Sequence, residues 1–494
     1  MQSREGSPNV LLVILDSVRA RNTSLHGHDN ETTPSLAALA AEATVFEQAR
    51  SPGTWSLPSH ASLFTGLHVA EHGLAGPTDV LEPGHTVFER LQEAGYDTGV
   101  FSENPFLTVS DAGLARGFGT VEGPRNVPFR DALDPTEFVQ REGQGQYREY
   151  LRACLAHERP LRSLANGALV KLAWDYPQVL PERFSPATDA DVYVDLFLEW
   201  EAAREGPWAA CLNLMDAHLP YRPAPEHDRW GDDDLRALQD AMADQVWEFV
   251  GGERPWWQRK ALEALYDGTI HQMDAQVDRL VEALRERGTL DDTLLVVTAD
   301  HGECFGERSH VQPARLAGHG PGIDETLVHV PLLVREPGQT EGARVSNPAS
   351  LTRFPDAVAA ARDGERAADP FSTGPTLVSY AGLPESAKVR AREYADEDAL
   401  VALDGPSRAV YVDHGRGVRK YVQWRDRTAT VQVVDAATTY LESASDGTGA
   451  SGELDAGAEL AAAFDDLSDA GVRAVDDGEL DAATEERLKE LGYL

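Results

Sequence analysis

The sequence predicts an α/β protein: a large, mostly parallel sheet flanked by helices, followed by a smaller domain built on an antiparallel sheet. Three observations lead there. The runs Val10-Leu11-Leu12-Val13-Ile14-Leu15-Asp16 and Leu294-Leu295-Val296-Val297-Thr298-Ala299-Asp300 are nearly all apolar, and each ends in an acidic residue. Such runs read as strands buried on both faces, which is how strands of a helix-covered parallel sheet are written. Between them, strand and helix patterns alternate in the βαβ manner. From about Pro384 the text changes to shorter, more polar strands, as in an antiparallel sheet.

The elements follow in order. Thr33-Pro34 opens a helix, with Thr33 as cap and Pro34 in the first turn, and residues 35–44 continue it with alanine and leucine. A loop rich in Ser, Pro and Gly carries Thr54-Trp55-Ser56-Leu57-Pro58-Ser59-His60 and leads into a helix through Leu63. Residues 86–94 read as a helix stopped by Gly95, and 98–101 as a short strand. Residues 126–204 are weakly periodic and rich in aromatics and prolines, which reads as a helical insertion that shapes a pocket. Residues 208–215 form an apolar strand ending in Asp216-Ala217-His218-Leu219-Pro220-Tyr221. Leu262, Leu265, Ile270, Met273, Val277, Leu280, Val281 and Leu284 keep close to a 3.6-residue period, so 261–287 is the longest helix, and Gly288 stops it. It leads into the strand that ends at Asp300, and residues 330–334 make another strand. The domain boundary falls after residue 384. The small α+β domain, 385–494, holds strands at 410–413, 420–424 and 428–434 and an acidic, mobile or helical surface segment at 441–486, with 488–494 packing back.

Composition narrows the function. At 494 residues with 42% hydrophobic content, the chain can bury a large core. Its formal charge of −38 comes from 82 acidic against 44 basic residues, five of them lysine. Such a surface repels nucleic acid and anionic membranes. Excess carboxylate with arginine in place of lysine is the habit of proteins from very salty cytoplasm, as in haloarchaea, where screening acts within about 3 Å at 1 M salt. Cys154, Cys211 and Cys304 are too scattered for a disulfide framework or a zinc knuckle and suit a reducing compartment. The N-terminus shows no secretory pattern and no segment reaches 18 apolar residues, so the expectation is a cytoplasmic protein without a transmembrane helix.

The chemistry is expected at one sheet edge. Ligands of parallel sheets gather at the carboxyl ends of strands, so Asp16, Asp300 and His301 can meet there. Two carboxylates and an imidazole brought together would repel or desolvate one another unless a divalent cation held them. These residues belong to an ordered series: residues 9–19; Thr33-Pro34-Ser35-Leu36; Ser56-x-Pro58-Ser59 with Ser62-Leu63-Phe64-Thr65-Gly66 and His72-Gly73; His218-x-Pro220-Tyr221; Tyr266-Asp267-Gly268; Asp300-His301-Gly302-Glu303; and Val330-Pro331-Leu332. The series, which spans most of residues 8–384, resembles the sulfatase family of the alkaline phosphatase superfamily.

That resemblance implies an alkaline-phosphatase-like fold and a metal-dependent hydrolase of sulfate or phosphate esters. It puts one divalent ion (calcium, magnesium or manganese) on Asp16, Asp300 and His301, the nucleophile at Ser56, and a substrate contact or leaving-group acid at His218. His60 and His319 are assigned to the substrate anion, with His310 a rival to His319 and Thr54 a rival to Ser56. The chain departs from the family pattern twice. Residue 60 is His where the conversion of residue 56 to formylglycine reads an arginine, which makes that modification doubtful, and residue 17 is Ser where a second acid is usual. Both departures lean toward phosphoester chemistry at an unmodified serine. The partner is then a small anionic ester, free or linked to a glycan or lipid. Two other readings are a phosphotransferase of the phosphoglycerol or phosphoethanolamine type, or a phosphodiesterase, and a catalytically silent binding protein of the same fold.

Overall fold

A computed structural model describes residues 7–124, 147–175, 190–415, 417–445 and 455–475, with positions 129, 132, 133, 135 and 138. Its centre is an eight-stranded sheet whose strands run, in spatial order, Ala343–Ser350, Thr44–Arg50, Leu332–Arg335, Thr293–Thr298, Asn9–Leu15, Trp208–Leu214, Asp97–Ser102 and Thr120–Glu122. Only Leu332–Arg335 runs against its neighbours; the other pairings are parallel. The two apolar runs lie side by side in the middle, and Val10 through Leu15 are fully buried.

Register then aligns the chemistry. Ile14 stands opposite Thr298, so Asp16 and Asp300, each two residues further on, emerge level at the carboxyl edge. On the other flank Leu15 pairs with Leu214, which brings the His218 loop to the same edge. The long helix Glu263–Arg287, closed by Gly288 in the left-handed conformation, covers one face. Helix Ala190–Ala202 also packs directly on the sheet, Phe197 and Trp200 meeting Phe101 and Trp208. It lies within the stretch expected as an insertion; helices Tyr147–Ala156 and Pro160–Asp175 are also described there. The rest of 126–204 falls largely outside the described residues.

Several strands went unread in the sequence for a physical reason. The helix expected over 34–44 ends at Leu39, and after a short turn Thr44–Arg50 is a buried strand. Its polar residues hide it: Arg50 is buried, yet it bonds Gln48 and pairs with Glu325 at 2.8 Å. Ala343–Ser350 contains Pro348, tolerated because it lies on the edge strand at a register shift.

A five-stranded antiparallel sheet of Thr376–Tyr380, Ser407–Asp413, Val418–Trp424, Arg427–Val433 and Thr439–Ser445 makes the smaller domain. Its first strand comes from residues ahead of the expected boundary at 385. Within the acidic stretch, helix Ala456–Phe464 packs on this sheet, and Arg473–Val475 returns to pair with Asp79–Leu81; residues 488–494 lie outside the described part. A buried cluster ties the two sheets together. Glu325 accepts from Lys420 at 3.0 Å and from Tyr411 at 2.7 Å of the small sheet while pairing with Arg50 of the large one. Among the described residues no helix is long and apolar enough to cross a membrane.

Candidate active site

Asp16 and Asp300 leave adjacent central strands, and His301 follows directly. The donor atoms of the three residues lie within 4.8 Å of one another, all buried, and among the described residues they form the one group that could hold a metal ion. Local structure aims each of them. Ser17 takes a left-handed backbone (φ 61°) that a non-glycine residue adopts only under strain. That turn lets the Ser17 amide donate to Asp300 Oδ1 at 3.2 Å while its hydroxyl donates to Asp16 Oδ1 at 2.9 Å. Asn104 and Asn213, from the next two strand ends, donate to Asp16 Oδ2 at 3.2 and 3.1 Å. The Tyr266 hydroxyl braces the loop by donating to the Ser17 carbonyl at 2.7 Å and accepting from the Arg19 amide at 3.0 Å.

Ser56 reaches this group from a separate element. It is the first residue of helix Ser56–Thr65, which is buried through Phe64 and closed by Gly66 in the left-handed conformation. Its hydroxyl donates to Asp300 Oδ2 at 2.8 Å and stands 3.3 Å from His301 Nε2. The amide end of that helix adds partial positive charge, which favours an oxyanion or a bound anionic group. Thr54 is turned elsewhere, donating to the Gly320 carbonyl at 3.0 Å.

His60 lies one turn along the same helix, fully buried. Its Nδ1 is 2.8 Å from the Ser56 carbonyl and 3.6 Å from Asp300 Oδ2, so it supports Ser56 and Asp300 from behind. His319 stacks on His301 with centroids 4.7 Å apart and meets His218 edge-on at 4.9 Å. His310 is remote from this stack and faces Thr439 at 3.4 Å. Glu303, last of the Asp300-His301-Gly302-Glu303 motif, holds His319 Nδ1 at 3.3 Å and is itself held by buried Arg259 at 2.6 Å. Gly302 has no room for a side chain: a Cβ there would sit 2.0 Å from the Thr326 carbonyl oxygen. Cys304 is buried against Thr326, and burial pushes its thiol well up, so it packs rather than reacts.

The charges respond to this geometry. Burial alone would raise the Asp300 carboxyl, but the neighbouring imidazoles of His301 and His60, with the Ser56 and Ser17 bonds, outweigh it and hold the group below its usual range. Burial would lower His301, and Asp300 and Asp16 reverse that. Two carboxylates and an imidazole nitrogen are a donor set that a hard or borderline divalent cation satisfies once the imidazole gives up its proton. His218 is different. Burial and then the adjacent His319 push it down to about 4, against weaker opposition from Asp16.

Comparison with known proteins gives this edge its context. Residues 8–363 match the sulfatase family model. The chain belongs to the sulfatase family. It is an ester hydrolase of that family by its relatives, among them an arylsulfatase of Clostridium perfringens, 24% identical over 67% of this chain and 69% of that protein. A multifunctional alkaline phosphatase superfamily protein, PehA of Trinickia caryophylli, is 25% identical over 68% of this chain and 69% of that protein. Among solved structures, a phosphonate monoester hydrolase of Agrobacterium radiobacter shares the fold, with a TM-score of 0.57 and 20% identity over 87% of this chain and 89% of that one.

Sequence reasoning missed Asn104, Asn213, Glu303 as an ion-pair centre, and Arg259. Asn104 and Asn213 carried a readable signal, a polar residue closing an apolar strand or capping the turn after it. Arg259 carried none, because it arrives from a helix 44 residues before its partner Glu303.

Proposed function

We propose that this sulfatase-family member is a metal-dependent hydrolase of sulfate or phosphate esters in which Ser56 is the nucleophile. One observation carries the reading: the Ser56 hydroxyl at a helix amino end lies 2.8 Å from Asp300 Oδ2, one of the three clustered donors. Asp16, Asp300 and His301 would hold the ion, which when bound supplies positive charge for the ester oxygens and acidifies the serine hydroxyl. Ser56 directs its proton at Asp300 Oδ2 and keeps a lone pair for attack. As Ser56 Oγ joins the acid its proton passes to Asp300 Oδ2, the bond to the alcohol breaks and the alcohol oxygen takes a proton from His218; water then attacks the acid, giving a proton back to His218 and freeing Ser56 Oγ, which regains its own from Asp300. His218 stays neutral in the ligand-free protein, and a bound anion beside it favours the protonated form that this step needs. His319, between His301 and His218, is placed to share the anion.

Phosphoryl chemistry is favoured over sulfuryl transfer. Ser17 contributes a hydroxyl and an amide where a second carboxylate would add charge, and His60 replaces the arginine that the formylglycine conversion reads. The acidic, lysine-poor composition adds a high-salt cytoplasm to the proposal. The test is a panel of nitrophenyl sulfate, phosphate and phosphodiester in high salt, together with metal content by elemental analysis and the mass of the Ser56 peptide. A stoichiometric divalent ion, an unmodified serine and phosphoester turnover support the reading. Metal-independent turnover, or a formylglycine mass with sulfatase activity alone, overturns the corresponding part.

A further inference from the structure

A cleft opens beside His319 and Trp55, the neighbour of Ser56, and runs between the two sheets. Its walls include the Ser56 approach loop, residues 242–247, and the start of the small domain at Tyr380, Leu383 and Ala387. Met242, Trp247, Leu383 and Trp55 give it a mainly apolar surface. Its charges are already matched. Arg390 Nε lies 2.7 Å from Asp244 Oδ2, and Asp244 Oδ1 accepts from the Val246 and Trp247 amides at 2.8 and 2.7 Å. The cleft's Arg390 therefore brings no unbalanced positive charge to a second sulfate or phosphate.

We infer that the substrate is an ester of an apolar alcohol whose hydrocarbon part lies in this cleft. The inference rests on the ester-hydrolase reading above and names its substrate class. An apolar-walled cleft whose charges are paired with one another selects by hydrocarbon burial. A multiply sulfated sugar offers little hydrocarbon to bury.

The test compares 2-naphthyl, n-decyl and N-acetylglucosamine 6-esters of whichever acid the nitrophenyl panel shows to be released. Decyl and sugar alcohols leave about equally badly, so that pair isolates recognition, and the naphthyl ester, with its far better leaving group, serves as the turnover control. Calorimetric binding of 2-naphthol reads the cleft without turnover. The expected result is a decyl kcat/KM at least about tenfold above the sugar ester's. Naphthol binding should weaken about tenfold in Trp247→Ala and in Ala387→Glu but not in Trp257→Ala, an exposed tryptophan outside the cleft. A sugar ester that matches or beats the decyl ester overturns the inference, as does naphthol that fails to bind or binds both cleft variants like wild type. If no ester is hydrolysed the hydrolase reading falls, and the naphthol titration still decides the cleft.

Discussion

The two sides of the groove at the sheet edge are built on opposite plans. On the Ser56 side, Asp16, Asp300 and His301 stand at the ends of central strands, buried and held by named bonds from Ser17, Asn104, Asn213 and Ser56. On the far side, beyond His319, the walls are loops and a short helix, mainly apolar, with Arg390 and Asp244 paired to each other. Under the proposed function, reaction and selection are therefore supported separately: the sheet holds the groups proposed to react, and loop packing shapes what reaches them.

The sharpest way to break that contrast is to remove a group from the first side. Ser56→Ala should lower kcat by on the order of 10⁴-fold or more, since a nucleophile's loss removes the step it begins. Thr54→Ala, which loses a bond to a loop carbonyl, should stay within about threefold, the scale of one ordinary hydrogen bond. Asp300→Asn should bring the purified protein to sub-stoichiometric metal by elemental analysis. An active Ser56→Ala would end the nucleophile assignment.

A second break acts on the joint between the two sheets. Glu325→Gln leaves Arg50 and Lys420 charged and buried without their counter-ion, which costs about 3–5 kcal/mol of stability. The pH dependence has a definite sign. Burial would raise the Glu325 carboxyl, but Arg50 and Lys420 outweigh it and hold it well below the usual carboxylate range. A carboxyl depressed on folding adds its full stability above its unfolded value, about 4.3, and loses it as pH falls toward the folded value. Thermal melts should therefore show the variant's deficit in full at pH 7 and shrinking progressively below about pH 4.3. A deficit that grows on acidification would contradict this assignment.

Between those sizes and a single hydrogen bond lies His218. His218→Gln should cost about 10²-fold in kcat, with metal content unchanged, as removal of a general acid does. The loss should be greatest for esters of poor leaving groups, and equal losses for nitrophenyl and alkyl esters would make His218 an anion contact instead.

The same contrast governs what could be read from the chain alone. Asp16 and Asp300, with His301 next to it, were legible because each carboxylate ends a nearly all-apolar run, and parallel strands must deliver their ends to one edge. Ser56 was legible through its ordered neighbours Pro58 and Ser59, while its geometry needed the helix that starts on it. The strand Thr44–Arg50 was not legible, since Gln48 and Arg50 make it look like loop until Glu325 is seen across from it. Nor was the cleft. Met242, Trp247 and Tyr380 are ordinary apolar or aromatic positions in the text, and only the meeting of two sheets turns them into a wall.

His60 gives the smallest and most discriminating effect. Its expected role was contact with the substrate anion, yet its imidazole lies behind Ser56, with Nδ1 on the Ser56 carbonyl and 3.6 Å from Asp300. A group there acts by fixing the first helical turn, so His60→Ala should lower kcat about tenfold, the worth of one buried hydrogen bond, and leave KM and metal content as they are. His60→Asn can return a donor near the Nδ1 position and should recover most of the loss. A substrate contact would behave otherwise: KM would rise in both variants, and restoring the bond to the Ser56 carbonyl would not bring it back.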